Sequence, residues 1–241
     1  MLKLSISVST ALFVAFATFY SGVAEALPVA YHSMNDDGDL WVYPTLTDLA
    51  NATNYTLLSN TWAAHAMTYD GNVFTAVGAD VWTYPTLADL AADTNYTLLG
   101  TAYTGVRGLA FNGSDYIVVH GNGSVYSYPT LNDFVSEANY TFIGSGYSGG
   151  DDINGLLYNG SVYVTITNGG EVYSYPTLIN LATDTGYTHL GQSAANSRAL
   201  LFVPEPSTAL MIFLGLAVLS QRRLRYGPRV PLKGPSSLVG A

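Results

Sequence analysis

Val81-Trp82-Thr83-Tyr84-Pro85-Thr86-Leu87-Ala88-Asp89-Leu90-Ala91 is one of four near-copies of a single segment; the others occupy residues 40–50, 125–135 and 172–182. Their Tyr-Pro pairs begin at Tyr43, Tyr84, Tyr128 and Tyr175, so the steps are 41, 44 and 47 residues. A repeat of that length is one supersecondary unit that cannot bury its apolar face alone, and it matches the length of a propeller blade. Within one repeat, residues 108–112, 115–120, 124–128 and 140–144 are short runs of β-branched and aromatic side chains bounded by glycine and asparagine. Such runs read as strands, and four per repeat fit a blade better than a solenoid coil. Asn112-Gly113 and Asn122-Gly123 suit tight hairpins that need positive φ, so the first three strands should form a meander.

Between the third and fourth strands each copy carries Pro-Thr-Leu-x-Asp, with Asn180 in place of the aspartate in the last. Thr45, Thr86, Thr130 and Thr177 are then N-caps of a short helix. Asp48, Asp89 and Asp133 reach back to the cap as Glu does in a capping box. The first-strand segment recurs at residues 66–70, 108–112, 155–159 and 199–203, whereas residues 28–32 begin with a second-type strand. Circular closure follows, with residues 199–203 supplying the N-terminal blade's missing strand. The expected fold class is all-β: a four-repeat, propeller-like domain at the low end of the blade range, with a partly open arrangement as the alternative to a closed ring, followed by a C-terminal apolar helix.

Composition narrows the function. Residues 27–203 hold 15 of the 17 acidic residues but only Arg107 and Arg198 of the 8 basic ones, a net of −13. That charge repels nucleic acid and anionic membranes. The absence of cysteine removes disulfides, thiolate metal sites and cysteine nucleophiles.

The two ends read as addresses. Residues 1–26 combine Lys3, an apolar run and the small-residue ending Ala24-Glu25-Ala26, the pattern of a secretory signal peptide cut after Ala26 by signal peptidase. At the other end Pro204-Glu205-Pro206-Ser207 cannot continue a helix or a central strand. Residues 207–220 are apolar, and Arg222, Arg223 and Arg225 follow as a basic stop. At 14 residues, about 21 Å as a helix, that run is short for a bilayer core of roughly 30 Å. In the order and spacing of its parts, 204–225 resembles the PEP-CTERM sorting signal of Gram-negative bacteria. The resemblance implies export across the inner membrane, transient anchoring by a short transmembrane helix, processing by an exosortase, and a destination at the cell surface among exopolysaccharide. Residues 226–241 extend beyond the point where such signals end, as a basic tail.

No catalytic constellation stands out, and no catalysis is expected. Gly146-Tyr147-Ser148-Gly149-Gly150 matches a nucleophile elbow but lacks the helix that must follow. His32, His65, His120 and His189 form no metal-ligand pattern. Asp36, Asp37 and Asp39 offer calcium an oxygen-rich loop, yet their spacing is not that of an EF-hand and hairpin turns ask for the same residues. No cofactor is expected beyond that calcium candidate. The seven Asn-x-Ser/Thr triplets fall at turns and before fourth strands, where repeat chemistry explains them. The reading is an exported structural or interaction protein of the envelope or matrix. A carbohydrate-binding propeller is the alternative, given 19 tyrosines, and an envelope hydrolase the third choice.

Overall fold

The computed structural model describes residues 30–60, 62–102, 104–145, 152–193 and 196–204. The chain divides into two units after Glu205, and the described residues all fall in the first. They form four antiparallel sheets of four strands each. Blade 1 contains β1 (Ala30–Asn35), β2 (Asp39–Tyr43) and β3 (Thr56–Asn60). Blade 2 contains β4 (Ala66–Tyr69), β5 (Phe74–Val77), β6 (Asp80–Tyr84) and β7 (Thr97–Thr101). Blade 3 contains β8 (Val106–Phe111), β9 (Tyr116–His120), β10 (Val125–Tyr128) and β11 (Thr141–Gly144). Blade 4 contains β12 (Ile153–Tyr158), β13 (Tyr163–Thr167), β14 (Glu171–Tyr175) and β15 (Thr188–Gln192). The last strand, β16 (Ser197–Val203), pairs with β1 from Ala30↔Val203 to Asn35↔Ser197 and completes blade 1. The predicted closure and four-blade β-propeller are therefore both present.

The innermost strands β4, β8, β12 and β16 touch one another around the ring and across it. With only four blades they crowd, and their facing positions are small: Ala66, Gly108, Gly155 and Ala199. A Cβ on Gly108 would lie 2.5 Å from Leu156 Cβ, and one on Gly155 2.9 Å from Leu200 Cγ. The core follows from this arrangement as four apolar seams, one between each pair of neighbouring blades. Tyr43, Tyr84, Tyr128 and Tyr175, the repeated tyrosines, are nearly inaccessible within these seams. Their recurrence is therefore a packing requirement, as burial of a large ring between blades would demand.

Four six-residue helices link the third and fourth strands: α1 (Leu46–Asn51), α2 (Leu87–Ala92), α3 (Leu131–Ser136) and α4 (Leu178–Thr183). Helices this short need caps and tertiary contacts to exist. The Thr86 hydroxyl accepts from the Asp89 amide at 3.1 Å and donates to its carboxylate at 2.5 Å, and blades 1 and 3 repeat the arrangement. Each helix packs on the outer strand of the preceding blade, α1 on β15 included, so the helices staple the ring at every seam. At the closing seam a Cβ on Gly191 would stand 2.6 Å from the Ala50 carbonyl, which shows how tightly α1 presses on β15.

Among the described residues no helix is long and apolar enough to cross a membrane. The apolar segment 207–220, the signal peptide 1–26 with Ala24 and Ala26, the sorting residues Glu205, Pro206, Ser207, Arg222, Arg223 and Arg225, the tail 226–241 and the Ser148 elbow lie outside the described residues.

Candidate functional site

Three features of the ring could carry chemistry or binding. The acidic loop comes first, because the sequence singled it out for calcium. Asn35 Oδ1 accepts from the amides of Asp37 and Asp39 at 3.0 and 2.8 Å and folds the loop into a turn between β1 and β2. Asp39 accepts from Asn35 and Asn60, while Asp36 pairs with Arg198. The Asp36 and Asp39 carboxylates are thus engaged within the protein, and no group of three or more His, Cys, Asp or Glu side chains suited to a metal occurs among the described residues.

The cap aspartates are likewise absorbed by structure. Asn54, Asn95 and Asn139 stand in the left-handed region with φ of 51°, 53° and 50°. Each donates its amide to a cap carboxylate, Asp48, Asp89 and Asp133 respectively, at 2.7 Å. Hydrogen bonds from the cap threonine and then from this asparagine hold all three carboxyls below the usual aspartate range. These asparagines begin three of the Asn-x-Thr triplets, so the triplet is accounted for by a left-handed turn that asparagine adopts readily and ties down through its side chain. Blade 4 changes both partners together: Asn180 replaces the aspartate and Gly186, at φ 62°, the asparagine.

The histidines are scattered. His32 is sealed within β1, and burial pushes its imidazole down to about 4. His65 and His120 are also lowered, chiefly by burial and, for His65, by the Arg107 charge. His189 contacts Glu171 on the exposed face of blade 4. A polar cavity of about 350 Å³ lined by Arg107, His120, Asn122 and Asp152 lies at one end of blade 3. Its lining mixes both charge signs.

The outer strands are the second feature. Of nine large hydrophobic side chains that stand exposed among the described residues, eight lie on or immediately before β3, β7, β11 and β15. They are Tyr55, Leu57, Leu58, Tyr96, Leu98, Tyr140, Phe142 and Tyr187. A propeller's outer strands are also its sheet edges, with one row of backbone groups unpaired by the ladder.

The third is an aromatic pocket in blade 2, about 250 Å³, lined by Trp62, Trp82, Tyr84, Asp93 and Tyr96. Tyr84 and Trp82 come from β6, Asp93 caps the C-terminus of α2, Tyr96 precedes β7, and Trp62 lies in the link from blade 1. Tyr84 donates its hydroxyl to Asp93 Oδ1 at 2.8 Å. Burial and that carboxylate raise the Tyr84 phenol well above its ordinary value. The Trp62 indole N–H is buried beside the Tyr84 hydroxyl without a well-formed hydrogen bond. Sequence reading weighed tyrosines as a group and missed this pocket, because Trp62 lies outside the repeated segment.

No family model matches the chain, and no curated protein does. Among solved structures, it is similar to a protein of unknown function from Bacteroides thetaiotaomicron, at 15% identity over 65% of this chain and 40% of that one, with a TM-score of 0.38. YCF48 from Cyanidioschyzon merolae gives 11% over 69% and 56%, with a TM-score of 0.35. The calcium-binding protein regucalcin from Agrobacterium tumefaciens gives 14% over 76% and 58%, with a TM-score of 0.35. The chain thus spans 40% to 58% of the length of these three proteins.

Proposed function

We propose that the chain is an exported, surface-sorted propeller that acts as a structural or interaction component of a bacterial envelope or matrix, without catalysis of its own. The observation that carries this reading is the exposed apolar side chains on or immediately before the outer strands of the blades, which offer partners a surface on a rigid scaffold. Export and sorting rest on the resemblance of 204–225 to an exosortase signal and on the leader 1–26. The test is expression of the full chain in a Gram-negative host with and without an exosortase, followed by fractionation. Processing near Pro204 and transfer to the surface only when the exosortase is present are expected. Retention in the cytoplasm, or robust turnover of glycosidic or ester substrates by the purified chain, would sink the proposal.

A second reading, carbohydrate binding, is favoured by one observation, the aromatic pocket of blade 2 with its carboxylate. A glycan array probed with the full chain tests it, and an array without signal counts against it.

A further inference from the structure

Repetition makes each blade a control for the others. In blade 1 the Trp41 ring sits edge-on to Tyr55 at 4.9 Å, in blade 3 Tyr126 to Tyr140 at 5.5 Å, and in blade 4 Tyr173 to Tyr187 at 5.3 Å. In each case the third-strand ring closes on the tyrosine before the outer strand and fills the space between them. Blade 2 breaks the pattern. Trp82, at the same position, instead meets Trp62 edge-on at 5.1 Å, and the Gly78 Cα lets both indoles nest against the turn between β5 and β6. Tyr96 keeps the contact with Tyr84, at 5.9 Å, that its counterparts make in the other blades at 5.8, 5.8 and 5.9 Å, but it has no third-strand ring against it, and the pocket lies there. The Tyr84–Asp93 hydrogen bond alone is not the distinguishing feature, since Tyr175 donates to Asp184 in the same way at 2.9 Å. The opened wall is.

We propose that this pocket is a saccharide subsite that takes one neutral pyranose ring, walled by Trp62, Trp82 and Tyr96 and anchored by Asp93. The inference rests on the carbohydrate reading above and assigns it a place and a ligand class. The volume, about 250 Å³, falls below the roughly 300–1,000 Å³ of drug-sized sites, so it holds a ring and not an oligosaccharide. Aromatic faces suit the C–H faces of a sugar. One oxygen of Asp93 is taken by Tyr84, and its carboxylate keeps further acceptor capacity. A sugar hydroxyl can donate to it. A quaternary ammonium would suit the aromatic walls but has no N–H or O–H to donate to the carboxylate. A uronate meets the Asp93 charge and a domain of net charge −13.

Two of the chain's three tryptophans line the pocket, so intrinsic fluorescence reports on it directly. The full chain is titrated with methyl glycosides of neutral hexoses, with a uronate and with choline, and calorimetry repeats each titration. A saturable fluorescence change with the neutral glycosides, in the millimolar range expected for a single ring, is the predicted result. Two variants use residues that other blades already carry at the same positions. Asp93→Ala introduces the Ala52 solution of blade 1, and Trp82→Tyr the residue of blades 3 and 4, which should close on Tyr96. Each should weaken binding at least about tenfold with the fold retained, the loss expected for a charge-assisted hydrogen bond or a stacking wall, and Asp93→Ala should also melt somewhat lower because the buried Tyr84 hydroxyl loses its acceptor. Trp41→Phe should leave binding unchanged. If neutral glycosides bind equally to parent, Asp93→Ala and Trp82→Tyr, carbohydrate binding stands and this site assignment falls. If choline or the uronate binds in preference, the ligand class is overturned. If nothing binds, the carbohydrate reading falls with the site.

Discussion

Gly108→Ala tests the crowding of the ring's centre, because a single methyl group is added where the structure leaves no room for it. The new Cβ would meet Leu156 Cβ at 2.5 Å and the Leu156 amide nitrogen at 3.0 Å. Carbon atoms rest at about 3.5–4.0 Å, so the two strands must part by roughly 1 Å. Leu156 is fully buried, and β12 is held between β8 and β16 in a closed ring, so the displacement has no free direction. Overpacking of this kind costs about 1–3 kcal/mol. The lower entropy of the unfolded alanine chain offsets about 0.4–1 kcal/mol, which leaves roughly 1–2 kcal/mol of net destabilisation. In a domain of this size that lowers the melting temperature by about 2–8 °C. Gly121→Ala is the control: its nearest contacts are Arg107 Nε and Cγ at 3.4 and 3.5 Å, on a side chain that can move. It should gain the entropic term alone and melt about 1–4 °C higher. Thermal unfolding followed by circular dichroism measures both. A Gly108→Ala variant as stable as the parent, or one indistinguishable from Gly121→Ala, would refute the packing argument.

His32 is neutral in the fold and its pKa lies at about 4 against an ordinary 6.5, so the stability it contributes is complete above pH 6.5 and is lost as pH falls toward 4. The loss is bounded at roughly 3 kcal/mol by 1.36 kcal/mol per pH unit. His32→Ile, which installs the residue that blade 3 carries at the matching register (His32↔Val42, Ile117↔Ser127), should flatten urea-denaturation midpoints between pH 4 and 6.5; an unchanged pH profile would contradict it. Thr86→Ala removes a cap and should cost about 1 kcal/mol while letting the Asp89 carboxyl rise toward its ordinary range, which carboxyl-resolved NMR titration reads out. Leu200→Asp places a carboxylate in the closing seam beside Tyr31 and Ile166, at a cost of about 4 kcal/mol or more. It should open the ring and, under the proposed sorting, reduce processing near Pro204; normal melting together with normal processing would overturn the coupling.

Much of this fold is written in period and punctuation. The strand read at 108–112 is Val106–Phe111, that at 115–120 is Tyr116–His120, and the closing strand read at 199–203 is Ser197–Val203. Alternation and turn residues act locally, so they survive in the sequence. The threonine caps were legible for the same reason. What the repeats concealed is tertiary: that each helix belongs to the seam with the preceding blade, and that Asp89 is tied to Asn95 six residues on. A signal for the second was present, because Asp-to-Asn180 and Asn-to-Gly186 change together in the fourth repeat. The pocket of blade 2 left no comparable trace. It depends on where one indole turns, and Trp82 reads as an ordinary member of an aromatic column until Trp62 is placed beside it.

The ends of the domain supply the last link between fold and proposed destination. Ala30 and Val203 are partners in the β1–β16 ladder, so the chain enters and leaves the ring side by side. Pro204, exposed and without an amide hydrogen to donate, stops the closing strand at the residue where the proposed sorting segment begins. A tail joined there transmits any pull directly into β16, whose hydrogen bonds to β1 are the closure of the ring. The segment that would deliver the protein is therefore continuous with the strand that completes it. A ring whose β16 has failed to dock would leave Pro204 on a loose strand with apolar Leu200 and Leu201 exposed. On this reasoning, sorting efficiency should track the stability of blade 1 more closely than that of blade 3, a difference that matched destabilising substitutions at Leu200 and Leu109 would reveal.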